Sequence, residues 1–437
     1  MSILTLIKNI PFVNPAAAGY FLYHRAPAPV LKKIEAENFR RTIRYAASHS
    51  RFYKRKFAEH RIDPQNVRHP EDLGDFFTTA EDLRAFNEDF VSARPDTAYE
   101  TTGTTSKKSK RVYFSRSEMR EAGWAGAVGL WNLGVRPEDR LVSAFDYALW
   151  VSGPVLQASC EVLKCFHIEV SRMDPAEFYE RVRDYGITVI VGDPSWIVRL
   201  SEIAEKRGAW PVKLLLAGGE NLTEEARRFV EGVWKADFLL SYGQTEAFGA
   251  IGMETREKEG YYLNEFHNSF EIINPDREGY GELVYTTLNR RVMPLVRYRS
   301  GDLTRFLTAP SKSGLPVRRI EKLKGRVDEW IATGIGNIAP WMFEPFFQKI
   351  RGITPDWQVV VEKDGLQDRI TFHVESTGTG SVPAGLEKEI LDAFEREFPS
   401  EFKVAEMGIC RIAVAVHPSG VLRDGRKLKR IVENRKF

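Results

Sequence analysis

The 437 residues are enough for one large domain and a smaller one, each with its own hydrophobic core. Hydrophobic residues make up 43% of the chain and charged residues 28%, a mixture typical of an ordinary soluble globular protein. With 63 Lys and Arg against 60 Asp and Glu, the net charge of +3 is too balanced to indicate nucleic-acid binding over the surface.

The N-terminal segment and the cysteines predict a cytoplasmic protein. Residues 1–30 are mildly apolar but are interrupted by charged residues, asparagines and prolines. They predict a segment packed on the protein, with membrane association as the alternative, because neither a signal peptide nor a membrane span has such interruptions. Three cysteines are too few for a disulfide framework and favour a reducing compartment.

Helices dominate the first predicted elements, and strands and helices alternate after them. Residues 30–95 show a polar, helical pattern, and RVYFS at 111–115 predicts a strand. Ser115 and Glu118 predict a capping box at the next helix start. Asp174 and Pro175 predict another helix start, and Gly186 its end. The runs ITVIVGD, VKLLLAGGE and DFLLSYG predict further strands. This alternation predicts a layered α/β sheet whose strand ends face a ligand crevice.

A second region is predicted after the segment KGRVDEW. Its strands, in DWQVVVEKDG, DRITFHVES and ICRIAVAVHPSG, surround a single charged helix in AGLEKEILDAFEREF. This pattern predicts a small α+β domain of ordinary size. We therefore expect a large N-terminal domain over residues 1–327 and a small C-terminal domain over residues 328–437.

A cluster of threonines around a glycine precedes a lysine-rich run, in TTGTTSKKSK at 101–110. Hydroxyls and backbone N–H groups in such a loop can surround phosphate oxygens, and lysine can offset their charge. The spacing differs from the Walker phosphate loop. Taken alone, the segment favours a polar turn with solvated lysines over a phosphate-binding loop.

The order of this loop and four later segments carries more information than any one of them. The later segments are SYGQTEAFG, VRYRSGDLTRF, KGRVDEW and LRDGRKLKRIVENRKF. In this order they resemble the core motifs of the acyl-adenylate-forming superfamily. The segment FEIINPDREGYGELVYTTLNRRVMPLVRYRSGDLTRF is most similar to the phenylacetate–coenzyme A ligase branch, and the likeness extends from about Tyr99 to the C-terminus.

The resemblance implies a set of ATP-binding residues. Tyr242, followed by Gly243, would stack on adenine, Thr245 would contact the α-phosphate, and Glu246 would bind Mg²⁺. Asp302 would accept hydrogen bonds from the ribose, with Arg326 near ribose and phosphate. The loop implied to hold the β- and γ-phosphates comprises Thr101, Thr102, Gly103, Thr104, Thr105 and Lys107. The turn on the other side of the adenine slot comprises Ala217, Gly218, Gly219 and Glu220.

A lysine in the C-terminal tail is implied as a catalytic cation. Lys427 keeps a K-x-x-R spacing with Arg430 and would bridge the substrate carboxylate and the α-phosphate, two anions whose approach a cation favours. Arg426 is the rival, since the glycine before the tail lysine is displaced by one residue. The alternative is a solvated basic C-terminus.

The resemblance also implies a hinge, a coenzyme A tunnel and an acid pocket. Asp328 matches the hinge about which the small domain would rotate. Gly334, Gly336 and Asn337 would line the pantetheine tunnel, with an ordinary glycine hairpin as the alternative. Tyr147, Trp150 and Ala217 would line the acid pocket. The two bulky side chains would favour a flat aryl acid, although aromatic residues also commonly fill cores.

Departures from the family pattern limit these implications. Ser106 stands where the family has a second glycine, and serine adopts fewer backbone angles. Cys160, Cys165 and His167 could be metal ligands, but structural zinc needs a fourth, so LKCFHIEV is interpreted as a core strand.

Three functions follow from the sequence. The first is an AMP-forming ligase that uses ATP, Mg²⁺ and coenzyme A to convert a carboxylic acid, expected to be an aryl or arylacetic acid, into a thioester. The second keeps the adenylation but transfers the acyl group to a carrier protein, a partner-protein cysteine or an amine. The third is a non-catalytic nucleotide-binding module. The expected partners are small molecules, with no nucleic acid and no membrane span; the chain could assemble as a homodimer.

Overall fold

The computed structural model describes residues 14–101, 110–145, 147–171, 173–219, 222, 224–247, 249–327, 331–364, 367–378, 385–423 and 428–435. The chain forms two compact units. The first unit extends to residue 322 without residues 301–303, and the second contains residues 301–303 and everything from residue 323. The predicted fold class, a large α/β domain with a smaller α+β domain, is confirmed.

The helices of the first unit are α1 (Pro15–Arg25), α2 (Ala28–His49), α3 (Arg51–Glu59), α4 (Ala80–Ala85), α5 (Arg116–Asn132), α6 (Ser152–Leu163), α7 (Pro175–Val182), α8 (Pro194–Arg207) and α9 (Glu224–Trp234). Those of the second unit are α10 (Pro340–Gln348), α11 (Leu386–Glu397) and α12 (Pro399–Glu406).

The strands before residue 323 are β1 (Thr97–Thr101), β2 (Lys110–Phe114), β3 (Arg140–Ser143), β4 (Phe166–Glu169), β5 (Val189–Gly192), β6 (Leu214–Gly218), β7 (Asp237–Gly243), β8 (Ala250–Met253), β9 (Tyr261–Leu263), β10 (Asn268–Ile273), β11 (Gly281–Thr287), β12 (Tyr298–Thr304), β13 (Phe306–Leu307) and β14 (Arg319–Ile320). The remaining strands are β15 (Gly325–Arg326), β16 (Ile331–Thr333), β17 (Gly336–Ile338), β18 (Ile353–Asp364), β19 (Gln367–Ser376), β20 (Cys410–His417) and β21 (Ile431–Glu433).

The main sheet of the first unit has the strand order β13-β14-β9-β8-β7-β6-β5-β3-β4. Its strands from β7 to β4 are parallel, while β8, β9 and β14 continue it in antiparallel fashion. Every residue of β5 and β6 is buried, which explains why their sequences are continuous apolar runs rather than alternating ones. The carboxyl ends of β3, β5, β6 and β7 therefore meet at one edge.

The predicted helix starts are confirmed. Ser115 and Glu118 form a capping box at the start of α5, and the Asp174 side chain accepts hydrogen bonds from the first backbone N–H groups of α7. The turn after α7 ends at Gly186, whose backbone is left-handed, as the sequence predicts.

Helix α1 packs on the first unit. The Asn14 side chain donates to the carbonyl of Leu163, and the backbone of Gly19 lies against Trp124 and Val128, where a Cβ atom would meet them at 2.5–2.6 Å. This packing favours the interpretation of the N-terminal segment as part of the protein body. Among the described residues, no helix is both long and apolar enough to cross a membrane.

The strand predicted in LKCFHIEV is confirmed, but its interpretation as a core strand is wrong. Residues 166–169 form β4, which is the edge strand of the main sheet, and the Phe166 side chain is exposed. None of the four residues of β4 is fully buried, whereas the interior strands β5 and β6 are buried throughout.

The second unit contains a mixed sheet with the order β20-β19-β18-β21. One face carries Trp357, Val359, Phe372 and Val374, which form a core with the aromatic side chains of α10 and α11. In the same unit, residues 302 and 303 pair antiparallel with β15. The apolar alternation in β18 and β19 accounts for the single buried face.

Candidate active site

The predicted glycine turn and the predicted aromatic turn lie at the ends of neighbouring strands. Ala217 and Gly218 end β6, and their register partners in β7 are Leu240 and Ser241. Because β6 and β7 are parallel, the chain leaves both strands at the same edge of the sheet. Two segments whose paired residues are 23 positions apart in sequence are thereby adjacent.

The glycines of this turn have a steric reason. A Cβ atom on Gly218 would lie 2.7 Å from the Ser241 hydroxyl oxygen and 3.1 Å from its carbonyl oxygen. Gly219 has a left-handed φ of +92°, which other residues rarely adopt. Close approach of β6 to β7, followed by a sharp turn, thus requires both glycines.

Hydrogen bonds hold the turn that follows β7. Tyr242 is buried against Tyr261, with ring centroids 5.9 Å apart. The Gln244 side chain donates to the Ser300 carbonyl at 3.0 Å and accepts from the Tyr285 hydroxyl at 3.1 Å. Thr245 and Glu246 follow, 9% and 3% exposed, so the predicted phosphate and metal contacts lie in a fixed, largely buried turn.

The Glu246 carboxylate already has a cation. Lys110, the first residue of β2, forms an ion pair with its Oε1 atom, and the Tyr298 hydroxyl donates to the same atom at 3.0 Å. Burial would raise the pKa of Glu246, but the Lys110 ammonium, with hydrogen bonds from Lys110, the backbone and Tyr298, lowers it. The carboxylate is therefore ionised and internally neutralised.

Arg290 fixes the backbone of this turn from the other side. Its fully buried guanidinium donates to the Glu246 carbonyl at 2.6 Å and to the Tyr113 carbonyl at 3.1 Å, and it lies 4.2 Å from the centroid of the Phe114 ring. Burial lowers the pKa of Arg290. This contact ties strand β2 to the turn after β7.

Strands β1 and β2 form an antiparallel hairpin whose connection is the predicted phosphate loop. Thr101 pairs with Lys110 across the hairpin, so the loop begins and ends beside these residues. The Thr101 hydroxyl is buried and has no hydrogen-bond partner in the part of the chain that the structure describes. The backbone N–H of Glu100 donates to the Leu149 carbonyl at 2.8 Å, which brings β1 against the predicted acid-pocket segment.

That segment leaves the carboxyl end of β3. Tyr147 is half-buried, and burial raises the pKa of its hydroxyl well above the ordinary value, with a smaller contribution from the nearby Glu169 carboxylate. Trp150 is also half-buried. Both residues therefore follow the carboxyl end of β3, at the edge of the main sheet where β5, β6 and β7 also end.

Two predicted nucleotide contacts meet within the second unit. Asp302, 3% exposed, accepts a hydrogen bond from Arg326 at 3.0 Å, and the two residues are register partners in β12 and β15. Gly334 forms the turn of the β16–β17 hairpin, in which Thr333 pairs with Gly336 and Ala332 with Asn337. The predicted alternative of a glycine hairpin describes this backbone; the tunnel role stays a prediction.

Several predicted residues lie outside the described residues: Thr102, Gly103, Thr104, Thr105, Ser106, Lys107, Glu220, Arg426, Lys427 and the hinge residue Asp328. Their roles stay predictions. Sequence analysis missed Lys110, Tyr298 and Arg290, which surround the Glu246 turn. Lys110 belongs to the lysine-rich run, but the hairpin register that turns it inward has no signature in the sequence.

The described residues contain no group of three or more His, Cys, Asp and Glu side chains arranged to hold a metal ion. Cys160 and Cys165 remain free thiols, with His167 on the neighbouring strand β4.

Comparisons with known proteins agree with this arrangement. A family model described as AMP-binding enzyme matches residues 98–280, which include the β1–β2 hairpin, the strand ends and the Glu246 turn. The chain is 29% identical over 369 residues to a phenylacetate–coenzyme A ligase of Pseudomonas putida, covering 80% of this chain and 83% of that relative. It is 28% identical over 436 residues to the enzyme of the same name from Thermus thermophilus, covering 94% and 98%.

Solved structures show a related fold. A crystal structure of 2-hydroxyisobutyryl-coenzyme A ligase in the postadenylation state matches with a TM-score of 0.77 at 20% identity, covering 94% of this chain and 91% of that one. The predicted resemblance to the acyl-adenylate-forming superfamily, and within it to phenylacetate–coenzyme A ligases, is confirmed. The predicted enzyme class, an AMP-forming acid–thiol ligase, is confirmed as well.

Proposed function

We propose that this AMP-forming acid–thiol ligase of the acyl-adenylate-forming type activates an aryl or arylacetic acid with ATP and transfers the acyl group to coenzyme A. The reaction would release pyrophosphate in its first step and AMP in its second. The observation that carries the proposal is the meeting of Ala217–Gly219 and Tyr242–Glu246 at one sheet edge, inside the segment that matches the AMP-binding family model.

ATP binding in the first unit would use the turn after β7 and the β1–β2 connection. The Tyr242 ring offers an aromatic face for adenine, and Thr245 would donate to the α-phosphate. Thr101 supports this assignment, because a buried hydroxyl that lacks a partner among the described residues suits a phosphate oxygen. Hydrogen bonds to Gln244 preorganise the turn, so little reordering accompanies binding.

Asp302 and Lys427 are proposed as further nucleotide contacts. The Asp302 carboxylate would accept hydrogen bonds from the ribose, and its bond from Arg326 fixes its orientation. Lys427 would approach the substrate carboxylate and the α-phosphate, where a cation reduces the repulsion of two anions. A rotation about Asp328 would then exchange this lysine for the hairpin of Gly334 and Gly336 beside coenzyme A.

The fit of Glu246 to Mg²⁺ is incomplete. The carboxylate is ionised, as a metal ligand must be, but Lys110 and Tyr298 occupy its Oε1 atom, and among the described residues it belongs to no group of three or more His, Cys, Asp or Glu side chains that could hold a metal ion. We therefore derive no step through a Glu246-bound metal. Its role as a Mg²⁺ ligand stays a prediction.

The substrate class rests on the segment after β3. Tyr147 and Trp150 are bulky side chains at the sheet edge where the acid would lie, and they would leave room for a flat ring better than for a long acyl chain. The named relatives are phenylacetate–coenzyme A ligases, which supports an aryl or arylacetic acid. Transfer to a carrier protein, a partner cysteine or an amine, and a purely nucleotide-binding role, receive no support from the comparisons.

Pyrophosphate release tests the proposal. Purified protein would be mixed with ATP, Mg²⁺ and a panel of benzoic, phenylacetic and straight-chain acids, and AMP release would then be followed with and without coenzyme A. We expect aryl acids to release pyrophosphate and coenzyme A to accelerate AMP release. Silence across the whole panel would contradict the proposal, and AMP release unaffected by coenzyme A would exclude it as the acceptor.

A variant pair tests the acid pocket. Tyr147→Ala is expected to shift the preference from aryl acids toward longer acyl chains, raising the KM for the aryl acid at least about tenfold, since a single lost apolar contact is worth about that factor. Tyr185→Ala is the matched control, because Tyr185 is an aromatic side chain that is 52% exposed. An unchanged acid preference in Tyr147→Ala would place the pocket elsewhere.

A further inference from the structure

The Glu246 carboxylate, which the family resemblance implies as a metal ligand, is paired with a buried lysine. The side chains of Lys110 and Glu246 are only 11% and 4% exposed. The Lys110 ammonium also donates to the Tyr298 hydroxyl at 3.2 Å, and that hydroxyl donates to Glu246 at 3.0 Å. The three groups thus form a closed cluster in which each is a partner of both others.

Binding a divalent ion and an ammonium group to the same carboxylate oxygen is energetically unfavourable. Both carry positive charge, and their repulsion is strong where burial reduces solvent screening. The Arg290 guanidinium, also fully buried, adds a further positive charge at the Glu246 backbone. A divalent ion at Glu246 would add to the charges of two buried cationic side chains, Lys110 and Arg290, which the carboxylates of Glu246 and Glu118 already offset.

We propose that Lys110 is a positioning residue that serves as the resident counter-cation of Glu246 and keeps free divalent ions away from this carboxylate. The inference rests on the proposed function, since Glu246 belongs to the proposed ATP site. Mg²⁺ would then reach the reaction with the phosphates of ATP, and Glu246 would bind a divalent ion only after Lys110 leaves it.

Metal binding to the nucleotide-free protein tests this assignment. Mn²⁺ serves as the probe, and its binding is measured by electron paramagnetic resonance on the wild type, Lys110→Met, Lys110→Arg and the double variant Lys110→Met with Glu246→Gln. We expect Lys110→Met to gain one Mn²⁺ site that is at least about tenfold tighter than any wild-type site, because a nearby cation is removed. Lys110→Arg should restore exclusion, and the double variant should lose the gained site.

Equal Mn²⁺ binding by the wild type and Lys110→Met overturns the proposal, and so does a gained site that survives Glu246→Gln. Removing one partner of a buried pair can unfold a protein, so thermal unfolding of each variant is recorded, and the double variant removes both charges together. The readout needs neither ATP nor an acid. A failed pyrophosphate assay with a positive Mn²⁺ result would therefore contradict the proposed function while leaving the Lys110 assignment intact.

A separate observation concerns the end of helix α6. Lys164 is left-handed, with φ +61°, and its backbone N–H and that of Cys165 both donate to the Cys160 carbonyl, the latter at 3.3 Å. This closing turn folds the chain back on the last helical turn and brings the side chains five residues apart into contact. The Cys160 thiol hydrogen-bonds to Cys165, which lowers the pKa of Cys165, whereas the same bond and burial raise that of Cys160.

Both thiols line a cavity of about 640 Å³ at the edge strand β4, together with Glu161, His167 and Glu169. The His167 side chain is 9% exposed, and its Nε2 atom has no hydrogen-bond partner within the described ranges. Cys165 is partly exposed, while Cys160 is buried. An accessible thiol thus lies against a buried one in a cavity that small molecules can enter.

We infer that Cys160 and Cys165 form a redox-active pair that reacts with low-molecular-weight disulfides. The Cys165 thiolate would attack a disulfide RSSR, breaking its S–S bond, forming a mixed disulfide and releasing one thiolate RS⁻. Cys160 would then attack the Cys165 sulfur and release the second RS⁻, with the protons of the two thiols ending on two RSH molecules. One intramolecular disulfide forms, and one external disulfide is reduced.

Thiol counting tests the pair. The full chain is incubated with oxidised glutathione, quenched in acid, denatured and alkylated, and its mass is measured. We expect the wild type to lose two alkylatable thiols together while Cys410, buried in the second unit, stays reactive after denaturation. Cys160→Ser should stop at a glutathione adduct on Cys165, and Cys165→Ser should not react.

Three alkylatable thiols after full exposure to oxidised glutathione would overturn the inference. A stable glutathione adduct on the wild-type chain would do so too, because it would show that Cys160 cannot reach the mixed disulfide.

Discussion

Two buried carboxylates near strand β7 each pair with a basic side chain, but their hydrogen-bond donors are arranged differently. Glu254 is fully buried and receives both guanidinium nitrogens of Arg227, at 2.9 and 3.0 Å, together with the backbone N–H of Leu240 at 2.8 Å. Glu246 instead receives Lys110 and Tyr298 on one oxygen. The first pair uses both carboxylate oxygens in a planar fork, whereas the second crowds its donors onto a single atom.

The difference indicates a structural lock and a site that can change partners. Arg227 also donates to the Phe238 carbonyl, so the Glu254 pair connects helix α9 to the backbone of β7. A lysine ammonium is a compact charge without fixed directions and releases a partner more readily than the arginine fork does. Burial and charge alone do not separate the two roles; the number and direction of donors do.

Breaking the lock should have the largest effect. Glu254→Gln leaves the buried Arg227 guanidinium with only the exposed Glu224 carboxylate as a counter-charge, and we expect the free energy of unfolding to fall by about 3–5 kcal/mol. Urea denaturation of the first unit measures this loss. Activity per folded molecule should be retained, because Glu254 belongs to the support of β7. A loss of turnover without a loss of stability would reverse the assigned roles.

Breaking the Glu246 cluster should affect activity more than stability. Glu246→Gln is expected to lower the rate of pyrophosphate release about 100-fold, which is typical for removing one electrostatic group from a preorganised site. Tyr298→Phe is the graded control, since it removes the hydroxyl's hydrogen bonds to Lys110 and Glu246 and leaves the ion pair. The comparison fails if Glu246→Gln loses more stability than Glu254→Gln and keeps its activity.

The sequence predicted the scaffold of this comparison but not its chemistry. Continuous apolar runs identified β5, β6 and β7, and Asp174 and Ser115 identified helix starts, because these signals are local. The motif order placed Glu246 in a site. That Lys110, rather than another lysine of the same run, faces Glu246 depends on the pairing of Thr101 with Lys110, and no local pattern encodes that register.

Two glycine substitutions test how much the close approach of β6 to β7 restricts side chains at the edge of the site. Gly218→Ala would place a Cβ atom 2.7 Å from the Ser241 hydroxyl, and we expect a loss of about 1–3 kcal/mol of stability, as for other overpacked positions. Adding Ser241→Ala should recover part of the loss, because the carbonyl contact at 3.1 Å remains. Gly232→Ala in α9 is the matched control: apart from its own helix, no atom of the described residues lies within 4 Å of its Cβ position. Equal losses in both variants would show that the strand approach is not the cause.

The smallest expected effect concerns two neighbouring histidines in the second unit. They are like groups, in contrast to the oppositely charged pairs of Glu246 and Glu254. His373 and His417 stack with ring centroids 5.1 Å apart and share a hydrogen bond of 2.9 Å. Burial lowers the pKa of His373, and the neighbouring His417 lowers it further, while Glu362 opposes the shift. The unfolded chain therefore takes up a proton at a higher pH than the folded one, so stability is complete above the ordinary histidine pKa of about 6.5 and declines as the pH falls below it.

Because His373 is only half-buried, solvent screening should keep this decline under about 1 kcal/mol. Urea midpoints of the second unit at about pH 7.5 and 5.5 measure it. His373→Gln should flatten the dependence, since the amide keeps hydrogen-bonding capacity and does not titrate. His49→Gln, at an exposed position in the first unit, should leave it unchanged. A decline that persists in His373→Gln would assign the acid sensitivity to carboxylates, and the contrast would then rest on the Glu246 and Glu254 pairs alone.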